Sequence, residues 1–183
     1  MKLIQSPLND CFLIKPKTFT DHRGKFCETY KKKEFQKITG LNIDFVQDNQ
    51  SVSSYGVLRG LHYQIPPMAQ AKLVRVVSGK VLDIVVDLRK NSETFGKSFS
   101  VILDDTENLQ LFVPRGFAHG FITLSEKSIF AYKCDNYYDP KSERGIIYKD
   151  ATLNLNWHLP EKDFIISEKD LKLPDFNNAV LFE

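Results

Sequence analysis

Two ionisable residues stand in otherwise apolar sequence. His62 lies in Gly56-Val57-Leu58-Arg59-Gly60-Leu61-His62-Tyr63-Gln64, and Lys72 in Ala71-Lys72-Leu73-Val74-Arg75-Val76. A histidine titrates near neutrality and can take a proton from a weak carbon acid. A lysine facing the same point can neutralise the negative charge left behind. A lone histidine on a strand is more often a core residue satisfied by a hydrogen-bond partner. Lys72 shifts that balance, because a lysine turned inward on a neighbouring strand is rarely buried without a reason.

Strands must position both residues. Alternating side chains point to opposite faces of a strand. Strict alternation puts Arg59, Leu61 and Tyr63 on one face, and Leu58, Gly60, His62 and Gln64 on the other. Pro66-Pro67 forces a turn, and the next strand carries Lys72, Val74 and Val76 together. Further strands are expected at 43–47, 80–88, 98–103, 109–113, 120–124 and 128–134, after two short N-terminal strands and one over 25–30. Turns punctuate them at Asp21 to Gly24, Ser78-Gly79, Phe95-Gly96, Asp104-Asp105 and Pro114-Arg115-Gly116. The best helix is 31–40, stopped by Gly40, and a helical turn is expected at 167–171. Short strands at this spacing argue for an all-β sandwich or barrel in one domain spanning 1–183. No strand alternates with a long helix, which argues against a parallel α/β sheet.

Pro114-Arg115-Gly116-Phe117-Ala118-His119-Gly120-Phe121 delivers a second histidine and raises the question of a metal. A metal-binding cupin barrel supplies a His-x-His pair, then a Glu, then a distant His. Here the first pair is His62-x-Gln64, and amides bind first-row transition metals weakly. No metal site is expected. Arg23, Arg59, Lys72 and Lys169 form a basic set that would suit a diphosphate if they converge.

A formal net charge of +2, from 25 basic and 23 acidic residues, offers no case for nucleic acid or an anionic membrane as a partner. No apolar run follows Met1-Lys2, and none approaches the roughly 18 residues of a membrane span. Cys11, Cys27 and Cys134 form no C-x-x-C motif. Reduced thiols in a cytoplasmic protein are the simplest reading.

The motifs resemble those of the dTDP-4-dehydrorhamnose 3,5-epimerase family. The matching runs are Phe19-x-Asp21-x-Arg23-Gly24-x-Phe26-x-Glu28, Gln47-Asp48-Asn49-x-Ser51, the 56–64 run, Gln70-x-Lys72-Leu73-Val74, and Val86-Asp87-Leu88-Arg89. They continue with Pro114-x-Gly116 through Phe121, Tyr137-Tyr138-x-Pro140 and Ser167-x-Lys169-Asp170. They follow family order and spacing over nearly the whole chain. Arg144 is a minor departure beside Glu143. The resemblance implies a cupin-type double-stranded β-helix, or jelly roll, with a few short helices. It also implies a homodimer with exchanged N-terminal strands, and no metal or organic cofactor. The implied substrate is dTDP-4-dehydro-6-deoxy-D-glucose, inverted at C3 and C5.

That reaction suits the residues. C3 and C5 flank the C4 ketone, so loss of either proton leaves an enolate with charge on O4. His62 is the candidate base, oriented by Asp170. Lys72 would face O4, and Tyr132 would return the proton from the far side of the ring. By the resemblance, Arg23, Glu28, Gln47, Asp48, Asn49, Arg59, His119, Glu143 and Lys169 contact substrate, and Tyr138 stacks on thymine. The open alternatives are a relative that inverts one carbon only or takes another sugar nucleotide, a metal-dependent cupin enzyme, and a non-catalytic sugar-nucleotide binder.

Overall fold

The computed structural model describes residues 1–183, with residues 5–7 described by backbone alone. Fourteen strands and one α-helix follow in order. They are β1 (Lys2–Leu8), β2 (Cys11–Lys15), β3 (Lys17–Asp21), β4 (Gly24–Glu28), α1 (Lys32–Thr39), β5 (Gln47–Ser54), β6 (Val57–Gln64) and β7 (Lys72–Ser78). The chain continues through β8 (Lys80–Asp87), β9 (Ser98–Asp104), β10 (Gln110–Val113), β11 (Phe117–Thr123), β12 (Lys127–Cys134), β13 (Glu143–Gly145) and β14 (Ile165–Ile166).

Two sheets stack face to face. One runs β1-β2-β10-β7-β12-β5, the other β13-β6-β11-β8-β9, with β14 added parallel to β6. Hairpin β3–β4 stands apart as a two-stranded sheet. Neighbours such as β7 and β12, or β6 and β11, are not consecutive in the chain. Such crossovers make a jelly roll rather than a meander.

Strand parity sorts the side chains. Between the sheets, Val74 and Val76 of β7 meet Val81 and Val85 of β8, with Leu111, Phe117, Phe121 and Phe130. The opposite parity of β8, Leu82, Ile84 and Val86, faces outward against a second core, which Trp157, Phe164 and Phe176 of the C-terminal segment cover. Behind the other sheet, Leu73 and Phe112 pack against Phe35 of α1. Each strand of the central pairs is thus buried on both faces, and β8 and β11 read as near-continuous apolar runs for that reason. Helix α1 is anchored by the fully buried Phe35, with Ile38 packed beside it, and ends where Gly40 takes the left-handed conformation (φ 74°).

Two expectations fail. Of the strand expected at 43–47, residues 43–46 are instead irregular chain, whose Ile43 and Phe45 pack behind the sheet. The strand lies one step on, at Gln47–Ser54, in the polar run QDNQSVSS. Strict alternation along β6 also fails. His119 of β11 is the partner of His62, and Phe121 is the partner of Arg59, so β6 carries an extra residue between those two pairs. This bulge reverses the parity. Leu58, Leu61 and Tyr63 all turn into the outer core, while Arg59 and His62 both line the inner cavity. Gly60 is what the site demands: an added Cβ would lie 2.5 Å from Gly120 Cα, and its φ is +125°.

Candidate active site

A cavity of about 530 Å³ opens between the sheets, lined by Arg59, His62, Lys72, His119, Tyr132, Lys169 and Asp170. Phe121 and Phe130, stacked at 4.2 Å, give it an apolar wall. A neighbouring lobe of about 320 Å³ shares His62, Lys72 and Tyr132 and adds Gln47, Asn49, Tyr138 and Glu143.

His62 comes from β6 on one sheet. Its Nε2 lies 2.7 Å from Oδ1 of Asp170, which sits at the start of a short 3₁₀ turn, Asp170–Lys172. The Gly60 backbone N–H donates to the other carboxylate oxygen at 3.4 Å. Burial raises the Asp170 pKa, but the His62 ring, the Gly60 N–H and Ser167 outweigh it and hold the carboxyl below its ordinary value. An ionised Asp170 keeps the proton of His62 on Nε2. Nδ1 is then the free lone pair, which is what a base needs. The histidine side chain keeps 28% of its exposure, enough to meet a substrate.

Lys72 and Tyr132 come from β7 and β12 of the opposite sheet. The Lys72 ammonium lies 5.9 Å from the centroid of the Tyr132 ring. Burial pushes the Lys72 pKa below that of an ordinary lysine, and the charges of Cys134, Asp83 and Glu143 pull it partly back. Burial pushes the Tyr132 pKa up, so it is a neutral phenol near pH 7 and can donate a proton.

His119 lies at the cavity floor with Nε2 2.9 Å from Oδ2 of Asp83, which is fully buried. At the rim, Tyr138 donates from its hydroxyl to Glu143 at 2.9 Å, and Lys169 pairs with the same carboxylate. Burial raises the Glu143 pKa, but these two partners bring it below the ordinary value. Gln47 accepts from the Tyr138 backbone N–H at 3.0 Å, and Arg59 is steadied by Ser53 at 3.2 Å. Gln64 is spent on the backbone: its amide donates to Met68 and Tyr137 carbonyls and accepts from the Asp139 N–H. Among the described residues, no group of three or more His, Cys, Asp or Glu is arranged to hold a metal ion.

The structure therefore brings together His62, Lys72, Tyr132, Asp170, Gln47, Asn49, Arg59, His119, Tyr138, Glu143 and Lys169. It does not bring in three others. Asp48 has the wrong parity on β5 and turns outward to pair with Lys133 at 2.9 Å. Arg23 sits on the β3–β4 hairpin, paired with Asp21 at 2.7 Å, and Glu28 ends β4 beside Lys31 at 3.7 Å. Asp83 escaped the sequence reading. The signal was present, since Val81-Leu82-Asp83-Ile84-Val85 sets a carboxylate in an apolar strand just as Lys72 is set in its own.

Two stacked sheets around a polar-floored interior define the chain as a cupin-type jelly roll, the fold of its structural relatives. The model of the dTDP-4-dehydrorhamnose 3,5-epimerase family matches residues 5–178. The dTDP-4-dehydrorhamnose 3,5-epimerase of Shigella flexneri is 45% identical over 182 residues, 100% of this chain and 99% of that one. The crystal structure of dTDP-4-dehydrorhamnose 3,5-epimerase from Elizabethkingia anophelis NUHP1 superposes with a TM-score of 0.93 at 54% identity, over 97% of each chain. A Legionella pneumophila dTDP-6-deoxy-D-glucose-3,5-epimerase, solved in complex with dTDP-4-keto-L-rhamnose, superposes at 0.92 with 43% identity, over 97% of this chain and 93% of that one. The chain belongs to the dTDP-4-dehydrorhamnose 3,5-epimerase family, and it is an epimerase.

Proposed function

We propose that this chain inverts C3 and C5 of dTDP-4-dehydro-6-deoxy-D-glucose, giving dTDP-4-dehydro-L-rhamnose. The observation that carries the mechanism is the division of labour between the sheets. His62, held by Asp170 of the C-terminal segment, stands on one sheet, and Lys72 and Tyr132 stand on the other. Inversion needs a proton to leave one face of the ring and return to the opposite face. His62 Nδ1 takes the proton from a carbon beside the C4 ketone, and the imidazolium is stabilised by Asp170. The electron pair moves onto O4, where Lys72 meets the developing charge. The Tyr132 phenol then protonates the carbon from across the ring. The carbon loses and regains a proton with no change of oxidation state, so the step needs no redox cofactor.

Arg59 and Lys169 suit the diphosphate, the exposed Tyr138 ring suits thymine, and Gln47, Asn49, His119 and Glu143 suit the sugars. Arg23, Glu28 and Asp48 lie outside the cavity of one chain. The hairpin carrying Arg23 and Glu28 exposes Phe19 at 46% and Phe26 at 65%. A homodimer in which each hairpin completes the other copy's site accounts for both facts. Cysteines kept as thiols suit the reducing cytoplasm.

The test is incubation with the dTDP-4-keto-6-deoxy sugar in deuterated water, read by proton NMR. Deuterium at both C3 and C5 of an L-rhamno-configured product is expected. Deuterium at one carbon would make the chain a mono-epimerase, and none at either would overturn the proposal.

A further inference from the structure

The cavity holds a second histidine–aspartate pair, and its carboxylate is in an unusual position. Asp83 is fully buried on β8. One oxygen, Oδ2, meets His119 Nε2 at 2.9 Å. Oδ1 and the Ser51 hydroxyl are the buried side-chain oxygens without a hydrogen-bond partner among the described residues. A buried carboxylate oxygen left unpaired is costly unless a positive charge lies close by.

Lys72 is the ammonium that lines the same cavity as His119. It shares the cavity with Tyr132 from β12, His62 and Arg59 from β6, His119 from β11, Gln47 and Asn49 from β5 and Glu143 from β13, and the charges of Cys134 on β12, Asp83 on β8 and Glu143 act on it. Three carboxylates lie around it, and two are already committed. Asp170 is held by His62 and the Gly60 N–H. Glu143 is held by Tyr138 and Lys169. Asp83 is the one with a buried oxygen that has no partner among the described residues, and its charge, with those of Cys134 and Glu143, acts on Lys72 in the sense that keeps the ammonium protonated.

We propose that Asp83 is a positioning residue with two tasks: it fixes the ring of His119, and it supplies the buried counter-charge that keeps Lys72 cationic. Held by Nε2–H, His119 presents Nδ1 to the cavity as a hydrogen-bond acceptor for a sugar hydroxyl. Lys72 must be charged before substrate arrives, because an amine without its proton cannot stabilise an enolate. The inference rests on the reading of Lys72 as the cation opposite O4, so its test includes a readout that does not depend on turnover.

Asp83→Asn keeps an acceptor for His119 and removes the charge. The Lys72 amine of wild type and variant is labelled with acetic anhydride across a pH series, and its acetylated fraction is read by peptide mass spectrometry. Wild-type Lys72 is expected to resist labelling through pH 8. In the variant the onset should move down by roughly one pH unit or more, the scale expected for loss of a nearby charge. The alkaline limb of kcat against pH should move by the same amount, with KM changed less than kcat. Two results overturn the proposal: labelling that is unchanged in the variant, or a wild-type Lys72 that already reacts as a free amine below pH 7. The second can be read on wild-type protein even if the variant does not fold. If labelling shifts while the kcat profile does not, Asp83 sets the charge of Lys72 but Lys72 does not act in the reaction.

Discussion

The molecule holds two histidine–aspartate pairs whose histidines stand on adjacent strands of one sheet, and the pairs differ in access and anchoring. His62 and His119 are partners across β6 and β11. Both rings are gripped through Nε2, at 2.7 and 2.9 Å. The first side chain keeps 28% exposure and the second 8%. Asp170 hangs on the C-terminal segment and has its second oxygen met by a backbone N–H, whereas Asp83 is anchored in the middle of a core strand with its second oxygen unpaired. A carboxylate alone does not make an imidazole a base. In the proposed reaction access to the reacting carbon does, and the bulge in β6 gives it to His62 by turning Arg59 and His62 to the same side.

The largest expected effect sets the two histidines against each other. In the proposed reaction, His62→Ala removes the base and should lower kcat by roughly 10²–10⁴-fold, the range typical of general base catalysis. His119→Gln keeps a polar group at the floor and should cost roughly tenfold, mostly in KM. Steady-state kinetics on both variants decides the matter, and equal losses in kcat would erase the distinction.

Lys72→Met should follow closely. Removing a preorganised charge from the enolate oxygen costs about 3–4 kcal/mol, or roughly 10²–10³ in kcat. A loss confined to KM would make Lys72 a binding residue. A smaller effect is expected at the rim, where Tyr138→Ala should weaken dTDP binding by roughly 1–3 kcal/mol by calorimetry. Unchanged affinity would place the thymine elsewhere.

The smallest effect is on stability. The Asp170 carboxyl sits below its unfolded-state value, so its contribution to stability is present above that value, near pH 4, and is lost as pH falls through the folded one. Asp170→Asn should flatten this acid limb in chemical denaturation without changing stability's slope at alkaline pH. A variant as acid-sensitive as wild type would mean that His62 gives Asp170 no net stabilisation.

The comparison also marks what could be read from sequence. His62 and Lys72 stood out because charged groups interrupt apolar strands, and the Pro-Pro turn between them kept the strands distinct. The same signal at Asp83 passed unused. β5 gave no such signal. Its run QDNQSVSS buries little, because alternate residues face the polar cavity and the outer surface at a sheet edge. The propensities of single residues do not show a strand held mainly by ladder hydrogen bonds to β12. The bulge in β6 was likewise hidden, since parity depends on how β11 pairs with it, and Gly60 and Gly120 make sense only once their backbones are seen to meet. The place of Asp170 was legible only through the resemblance, for it reaches His62 from 108 residues away along the chain.

The central claim is that base and acid act from opposite sheets, and Tyr132→Phe tests it most directly. The variant keeps the ring and its packing but loses the phenol proton. Incubated with the dTDP-4-keto-6-deoxy sugar in deuterated water and followed by proton NMR, it should still exchange deuterium into the sugar through His62 while inversion is lost, most sharply at C5. Retained inversion at both carbons would contradict the account, because the proton would then be returned by some group other than the tyrosine across the cavity.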